Sequence, residues 1–319
     1  MKEKVLITGI AGAAGSYLAE YIVNEHPDVE VHGISRWHST TSLYNLEGIK
    51  DKIIMHEGDL LDTGCIIRIL RELKPKKIFN LAAHANVRVC FDNPDSVLYN
   101  NMFSTLRLLE AIRLECLDVI YNHCSTSEIY GNPIDIPITE KHPVNPVNTY
   151  AVSKLCQEAL VYSYYKSWGL RVIITRAFAY ICPRRGEIFS TSFARQVKNI
   201  EDGKQEFLYH GNLDSVRTLI DVRDIVRAYW VACDKCSVGV PYNIGGQEII
   251  SVREFLDLMV KKSSVPIICK QDPKLMRPTD VTNQIVDISK FVSATGFKPR
   301  YTLDQSIEFL LNHVRRNER

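Results

Sequence analysis

Short, almost continuous runs of apolar residues alternate with longer amphipathic segments along the first half of the chain. The apolar runs predict strands at 4–8, 29–35, 52–60, 77–83, 118–124 and 171–178. The amphipathic segments predict helices at 15–26, 65–73, 96–115 and 149–168. Strands that are apolar throughout, rather than at every second residue, indicate a parallel sheet covered by helices on both faces. The pattern therefore predicts a doubly wound α/β fold.

The regular alternation weakens after residue 178. Helices are still predicted at 188–202, 222–235, 251–262 and 303–315, with long loops between them. We expect a dinucleotide-binding domain over residues 1–178, to which a segment near 218–246 returns. Residues 179–319 are expected to form a smaller substrate-binding lobe packed directly on this domain, with the ligand between the two.

Composition and charge exclude several classes of function. Hydrophobic residues make up 45% of the 319 positions and charged residues 24%, as in an ordinary globular protein. The 39 basic and 37 acidic residues nearly cancel, so the net charge gives no reason to expect binding to nucleic acid or to a membrane surface. Nine scattered cysteines, without metal-site spacing, favour a reducing cytoplasm and no bound metal.

A glycine-rich loop lies between the first predicted strand and the first predicted helix. Glycines here let the backbone approach a pyrophosphate group at the helix N-terminus. The candidate cofactor contacts in this loop are Gly9, Ala11, Gly12, Ala13, Ala14 and Gly15. Asp59 ends the third predicted strand, where it can hydrogen-bond an adenine. The loop therefore indicates a dinucleotide site.

The end of the second predicted strand distinguishes NAD from NADP. An acidic side chain there would accept a hydrogen bond from the ribose hydroxyl of NAD. This chain has Arg36 instead, flanked by Ser35 and Ser39, and Trp37 offers an aromatic face to the adenine. A guanidinium with hydroxyl donors suits a 2′-phosphate, so the expected cofactor is NADP.

Acid/base chemistry is predicted around residues 126–154. Tyr150 and Lys154 have the spacing of one helical turn. The ammonium is therefore expected to stabilise the phenolate and to lower the pKa of Tyr150 towards the working pH. Thr126 would hydrogen-bond the same substrate oxygen. Glu128 adds a second proton acceptor, which simple alcohol oxidation does not need. Two acid/base groups indicate a reaction with two proton abstractions.

Together, the glycine loop, the Asn80–Ala83 segment, the run from Ser125 to Gly131 and the Tyr150/Lys154 spacing resemble the extended short-chain dehydrogenase/reductase superfamily, which implies a Rossmann fold. Within it, the chain most resembles the GDP-mannose 4,6-dehydratase family. The similar segments are 15–20, 31–36, 125–131, 183–186, 211–217 and 251–255. From residue 247 onwards the sequence is more similar to GDP-4-keto-6-deoxymannose reductases.

The resemblance implies roles for further residues. It puts Ser127 close to the sugar and adds cofactor contacts from Leu60, Leu81, Ala82, Ala83, His84, Tyr180 and Arg185. It implies that the nucleotide sugar is bound by Arg217, Arg277 and Asp280, the arginines through the diphosphate. The helices at 96–115 and 149–168 resemble those that form a four-helix interface in the superfamily, so a homodimer or homotetramer is expected.

The expected reaction is a redox-neutral 4,6-dehydration of a GDP-sugar. Tyr150 takes the C4 hydroxyl proton while hydride passes to NADP, Glu128 then removes the C5 proton, water leaves from C6, and hydride returns to C6. A C4 reductase would share Tyr150 and Lys154 but would consume NADPH and need no second base. A nucleotide-sugar decarboxylase and an epimerase remain further alternatives.

Overall fold

The computed structural model describes residues 2–36, 43–115, 118–186, 188–276 and 281–317. Its strands are Glu3–Thr8 (β1), Val29–Ser35 (β2), Ile53–Glu57 (β3), Lys77–Asn80 (β4), Ile120–Thr126 (β5), Arg171–Ala177 (β6), Tyr180–Ile181 (β7), Phe207–His210 (β8), Val216–Asp221 (β9), Pro241–Ile244 (β10), Glu248–Ser251 (β11), Ile268–Gln271 (β12) and Asn283–Gln284 (β13). Its α-helices are Ala13–Glu25 (α1), Thr63–Leu73 (α2), Val89–Asp92 (α3), Pro94–Glu115 (α4), Thr149–Trp168 (α5), Phe189–Glu201 (α6), Val222–Lys235 (α7), Val252–Val260 (α8), Ser289–Thr295 (α9) and Leu303–Asn317 (α10).

Seven parallel strands form the main sheet, in the order β10-β6-β5-β4-β1-β2-β3. The chain starts at β1 in the middle of the sheet and adds β2 and β3 on one side. It then crosses to the other side of β1 and adds β4, β5, β6 and β10. This is the doubly wound Rossmann arrangement that the sequence predicted. Strand β10 falls within residues 218–246 and extends the sheet beside β6.

Alternating side chains of the central strands bury both faces of this sheet. Val5 and Ile7 lie in one apolar cluster with residues of α1 and α7, whereas Leu6 lies in a second cluster with residues of α2, α4 and α5. Successive residues of a strand point to opposite faces, so a strand buried on both sides must be apolar at every position. This is why these strands read as continuous apolar runs.

The C-terminal lobe has its own small sheets and helices. One sheet contains strands in the order β11-β9-β13, and β7 also pairs with β9. A second, two-stranded sheet consists of β8 and β12. Helices α6, α8 and α10 enclose a separate core around Phe193, Leu219, Phe255 and Leu311. A smaller apolar cluster contains Ile129, Tyr130, Ile138, Phe178, Val286 and Ile288. The segment after β13 therefore packs on the turn that follows β5.

Several elements differ from the sequence-based expectation. Strand β4 ends at Asn80 and not at residue 83, because the backbone N–H of Ala82 turns away from the ladder to donate to Thr8 Oγ1 at 3.2 Å. Helix α9, the 3-10 helix Leu43–Lys52 and strands β7, β8 and β11 to β13 were not predicted. Short or irregular elements such as these give too few residues for a hydrophobic period to be read.

Asp224 joins the C-terminal segment to the first turn of α7. Its buried carboxylate accepts hydrogen bonds from the backbone N–H of Arg300, at 2.8 and 3.0 Å, and of Tyr301, at 3.0 Å. The Arg227 guanidinium lies 2.8 Å from the same carboxylate. All of these partners are donors, so a neutral amide cannot satisfy them equally.

Asp224→Asn is expected to lower the free energy of unfolding by about 2–4 kcal/mol, because it turns one buried acceptor into a donor facing other donors. Denaturant titration measures the change. Asp214→Asn is the matched control, because its side chain is 82% exposed in a surface ion pair with Arg253, and it should change stability by less than about 0.5 kcal/mol. Equal effects of the two substitutions would contradict this role of Asp224.

Candidate active site

The loop between β1 and α1 forms a cradle that only glycine permits. Gly9 has φ +67°, and a Cβ atom on Gly15 would lie 2.2 Å from the Gly9 carbonyl oxygen. Within the described part of the chain, no side chain caps the start of α1 and its first turn contains no acidic residue. The backbone N–H groups at this helix start are therefore available to an anion. The loop fits the pyrophosphate of a dinucleotide.

Other predicted cofactor residues surround this cradle. Ala11 is buried in the loop, Ala13 and Ala14 open α1, and Leu81 to Ala83 follow β4. Gly9 lies against Ala82, where an added Cβ would come within 2.9 Å of the Ala82 backbone. The ends of β1 and β4 are thus as close as their backbones allow.

Arg36 and Asp59 lie at the same edge of the sheet. Arg36 is exposed after β2. Burial, and secondly the charge of Arg36, lower the pKa of His84, so the guanidinium lies near the loop that follows β4. Asp59 accepts a hydrogen bond from the backbone N–H of Leu61 at 2.9 Å, and Leu60 packs beside the cluster of α2, α4 and α5. Trp37 and Ser39 lie outside the described residues.

Asn101 ties the cofactor loop to the helix of the predicted base. This fully buried side chain accepts a hydrogen bond from the His84 backbone N–H at 2.8 Å. Its amide nitrogen donates to Ser153 Oγ at 2.9 Å, and that hydroxyl donates to the Tyr150 carbonyl at 2.7 Å. The position of the β4 loop is therefore fixed relative to the first turn of α5.

Glu128 lies on a 3-10 turn, Ser127–Tyr130, at the end of β5. Thr126 Oγ1 caps this turn by accepting from the Glu128 backbone N–H at 3.3 Å, and Ser127 is buried within it. The Glu128 carboxylate accepts from Asn148 Nδ2 at 3.2 Å and from Gln284 Nε2 at 3.5 Å. Each carboxylate oxygen thus accepts from an amide side chain.

Asn148 also fixes the helix that contains Tyr150 and Lys154. Its Oδ1 accepts from the Ala151 backbone N–H at 2.8 Å, which caps the start of α5. Tyr150 lies in the first turn and Lys154 one turn later, and both are buried. One asparagine side chain therefore contacts Glu128 and orients the helix of the predicted base.

The Arg185 guanidinium acts on the predicted base, Tyr150. Burial raises the pKa of Tyr150 to about 12, which the Arg185 guanidinium and a hydrogen bond with Thr126 partly offset. The nearby Glu128 carboxylate acts in the raising direction. The expected effect of Lys154 on this pKa stays a prediction, and Arg185 is an additional cation that acts on Tyr150.

The side chain of Lys154 is buried one turn further along α5. Burial lowers the pKa of its ammonium to about 8, and the neighbouring Cys124 and Glu158 oppose this shift. Glu158 already forms a buried ion pair with Arg176 at 2.7 Å. Burying the charged form of Lys154 therefore costs free energy of folding, because the ammonium loses its hydration.

Arg185 and Tyr180 lie beside the predicted base. Arg185 Nη2 donates to the Ala85 carbonyl at 3.3 Å, and its Cζ lies 5.7 Å from the centre of the Tyr180 ring. Burial raises the pKa of Tyr180, and Arg185 opposes this rise. The structure therefore brings both predicted cofactor residues to the edge of the site next to Tyr150.

Arg217 reaches the site through an intermediate side chain. Its Nη1 donates to Gln284 Oε1 at 2.7 Å and its Nη2 donates to the Val281 carbonyl at 3.1 Å. Gln284 in turn contacts Glu128. Arg277 and Asp280, the other predicted substrate residues, lie outside the described residues.

Sequence reasoning missed Asn148 and Gln284. Asn148 could have been found, because asparagine directly before a predicted helix is a preferred N-cap. Gln284 gives no comparable signal, since it lies on a two-residue strand and meets Glu128 from 156 positions away.

The described part of the chain shows neither a cluster of metal ligands nor a helix that could span a membrane. Among the described residues, no three His, Cys, Asp or Glu side chains are grouped so that they could hold a metal ion. In the same part of the chain, every helix is too short or too polar to cross a bilayer.

The doubly wound sheet, the glycine cradle and the convergence of Thr126, Glu128 and Tyr150 define an enzyme of the extended short-chain dehydrogenase/reductase class. Residues 6–310 match the family described as GDP-mannose 4,6 dehydratase. The chain belongs to this family.

Individual relatives are similar along nearly their whole length. The GDP-mannose 4,6-dehydratase of Yersinia enterocolitica is 32% identical over 342 residues, covering 95% of this chain and 91% of the relative. The GDP-mannose 4,6 dehydratase of Homo sapiens is 31% identical over 337 residues, with 96% and 90% covered. A solved structure described as RMD from Pseudomonas aeruginosa complexed with NADPH superposes with a TM-score of 0.85 at 26% identity, covering 98% of this chain and 99% of that one.

Lys154→Met should remove the cost of burying the ammonium while keeping the length of the side chain. The Lys154 pKa falls from 10.5 to about 8 on folding, so the unfolded chain binds more protons between these values and the parent gains stability as the pH rises through this window. The variant should lack that gain. It is expected to be more stable than the parent by up to about 3 kcal/mol below pH 8, with the difference vanishing above pH 10.5.

Urea titrations of both proteins across this pH range measure the difference. Lys166→Met, on the exposed side of the same helix, controls for the loss of a charge and should show no such window. Parallel pH dependences of the Lys154→Met variant and the parent would contradict the buried-ammonium account.

Proposed function

We infer that the protein is an NADP-dependent GDP-sugar 4,6-dehydratase, which converts its substrate to a 4-keto-6-deoxy sugar without net oxidation. The observation behind this inference is the convergence of two acid/base groups. Glu128 lies close enough to Tyr150 to affect its pKa, and Asn148 contacts Glu128 while it caps the helix of Tyr150. Family membership and the names of the relatives support the same reaction.

Tyr150 acts first, as the base for the C4 hydroxyl. Thr126 hydrogen-bonds the tyrosine, and the Arg185 guanidinium favours its phenolate, so both help it to accept the proton. Bound NADP supplies the acceptor for the C4 hydride and the source of the hydride that returns to C6. Gly9, Gly12 and Gly15 in the cradle, with Arg36 near the ribose, would hold this cofactor. The product of this first step is a ketone at C4.

Glu128 then acts as the second base. The C4 ketone acidifies the neighbouring C5 proton, which the carboxylate removes, and the C6 hydroxyl leaves as water with a proton from the same carboxyl group. Hydride returns to C6, and Tyr150 gives C5 the proton that it took from the C4 hydroxyl, so both bases end in their starting states. The substrate loses one water in total and the cofactor returns to its starting state, so no NADPH is consumed.

The diphosphate of the substrate needs cations outside the dinucleotide site. Arg217 fits this role because it is close to the proposed base: its guanidinium contacts Gln284, and Gln284 contacts the Glu128 carboxylate. A guanidinium binds a phosphate through two parallel hydrogen bonds. We assign Arg217 to the diphosphate, and Arg277 and Asp280 to the same nucleotide on the resemblance alone.

Incubation with GDP-, UDP-, CDP- and dTDP-sugars, followed by mass spectrometry, tests the reaction. Loss of one water from a GDP-sugar without added NADPH is expected. Loss of carbon dioxide would identify a decarboxylase, gain of two hydrogens a reductase, and an unchanged mass with a new sugar stereochemistry an epimerase. Each of those results would overturn the inference.

Glu128→Gln should separate the two halves of the reaction in this assay. The amide cannot take the C5 proton, so water loss should slow by at least about 100-fold, whereas oxidation at C4 by Tyr150 should persist. Glu206→Gln, the same substitution at an exposed position, should change neither the rate of water loss nor the oxidation at C4. A folded Glu128→Gln variant that loses water at the parent rate would remove Glu128 from the mechanism.

An exposed apolar face on α4 and α5 supports assembly with a second copy of the chain. Tyr99, Phe103 and Leu114 on α4 are 50%, 38% and 52% exposed, and Tyr162 and Trp168 on α5 are 47% and 48% exposed. The two helices pack side by side, so pairing their exposed faces across a two-fold axis would form a four-helix interface. We propose a homodimer, from which a tetramer can form.

Phe103→Lys should weaken this dimer by at least about 100-fold, because it buries an unpaired charge in the interface. Light scattering after size-exclusion chromatography measures the mass over a range of protein concentrations. Tyr209→Lys, at a residue 41% exposed in the other lobe, is the control and should leave the mass unchanged. A monomeric parent protein at micromolar concentration would contradict the proposal.

We also propose a cytoplasmic location. Eight of the nine cysteines lie in the described residues, and all eight are free thiols. Free thiols on this scale are typical of a reducing compartment.

A further inference from the structure

Gln284 lies between two charged groups of the proposed site. Its side chain is 3% exposed. Its Oε1 accepts from Arg217 Nη1 at 2.7 Å, and its Nε2 donates to Glu128 Oε1 at 3.5 Å. The amide thus connects the cation assigned to the substrate diphosphate with the carboxylate assigned to C5.

The charges on either side determine which way this amide points. The oxygen of an amide only accepts hydrogen bonds and its nitrogen only donates them. In the observed orientation the oxygen faces the guanidinium and the N–H faces the carboxylate. The reversed orientation would put donor against donor and acceptor against acceptor, so it is disfavoured at both ends.

The backbone fixes the amide at this position. Strand β13 pairs with β9 in a register that sets Gln284 opposite Arg217, and Thr218 Oγ1 donates to the Gln284 carbonyl at 3.3 Å. The neighbouring residue, Asn283, is exposed, because successive residues of a strand face opposite ways. Gln284 is therefore placed by the ladder itself and does not depend on a flexible loop.

We propose that Gln284 is a positioning residue that holds the Glu128 carboxylate for proton removal and links it to Arg217. With Asn148 on the other carboxylate oxygen, Gln284 completes a two-point support for Glu128. This proposal rests on the proposed function. The 3.5 Å contact to Glu128 is long, and catalytic hydrogen bonds of this length often tighten when substrate binds. Engagement of Arg217 by the diphosphate is thereby linked to the alignment of the base.

Gln284 can be tested separately from helix capping, whereas Asn148 cannot. Removing Asn148 would disturb the start of α5 and with it Tyr150. Gln284 contacts Glu128 and Arg217 but neither Tyr150 nor Lys154 among the described hydrogen bonds. Its loss should therefore affect the C5 step and spare the C4 step.

Gln284→Met tests the role, because methionine keeps the length of the side chain and removes both amide contacts. The first hydride transfer is followed by the near-ultraviolet absorbance of enzyme-bound NADPH in a single turnover. The C5 step is followed by water loss and by exchange of the C5 proton with heavy water. We expect the C5 step to slow by about 10- to 100-fold, with the first transfer changed less than about threefold, so that bound NADPH accumulates. Asn283→Met is the matched control and should change neither step.

The outcomes separate this proposal from the proposed function. If the parent dehydrates a GDP-sugar and Gln284→Met slows both steps equally, or slows neither, Gln284 is not a positioning residue for Glu128. Thermal unfolding and circular dichroism of the variant identify a loss of both steps that is caused by misfolding, and Gln284→Leu then provides the second variant for the same comparison. If the parent loses no water from any GDP-sugar, the proposed function fails and this proposal fails with it.

Discussion

A single asparagine side chain joins the two acid/base groups of the site. Asn148 accepts from the backbone N–H of Ala151, in the first turn of α5, with its oxygen and donates to Glu128 with its nitrogen. Glu128 follows β5, whereas Tyr150 belongs to the helix that starts after Asn148, so no continuous element fixes their separation. The amide does so, because its acceptor and its donor are rigidly joined. Asn148 therefore helps to set the spacing between the two proposed bases, together with Thr126, which caps the turn of Glu128 and hydrogen-bonds Tyr150.

The rest of the fold keeps the side chains of the proposed site buried. Tyr150 and Lys154 both lie where burial disfavours their charged forms. Two apolar clusters, one on each face of the parallel sheet, supply the stability that offsets this cost. Asn101 then fixes the cofactor loop against α5. The same sheet edge that presents the glycine cradle thus presents the proposed bases, as parallel α/β sheets generally do.

The sequence predicted the long elements well, because their hydrophobic period extends over many residues. Helices α5 and α7 begin and end where the pattern indicated, and β2 does as well. The pattern could not predict contacts between distant segments. The meeting of Gln284 with Glu128, and the approach of Arg185 to Tyr150, depend on how the C-terminal lobe folds back on the sheet. The site residues inferred from motifs remain predictions, although the structure brings Thr126, Glu128, Tyr150 and Arg217 to one region.

The central claim is that one site removes a hydride from C4 and returns it to C6 of the same sugar. A GDP-sugar labelled with deuterium at C4, mixed with substrate that contains carbon-13 in the sugar but no deuterium, tests this claim directly. The account predicts that deuterium appears at C6 of the product, only in molecules without carbon-13, and that no NADPH is consumed. Deuterium lost to the solvent, retained at C4, or found in carbon-13 product would contradict it.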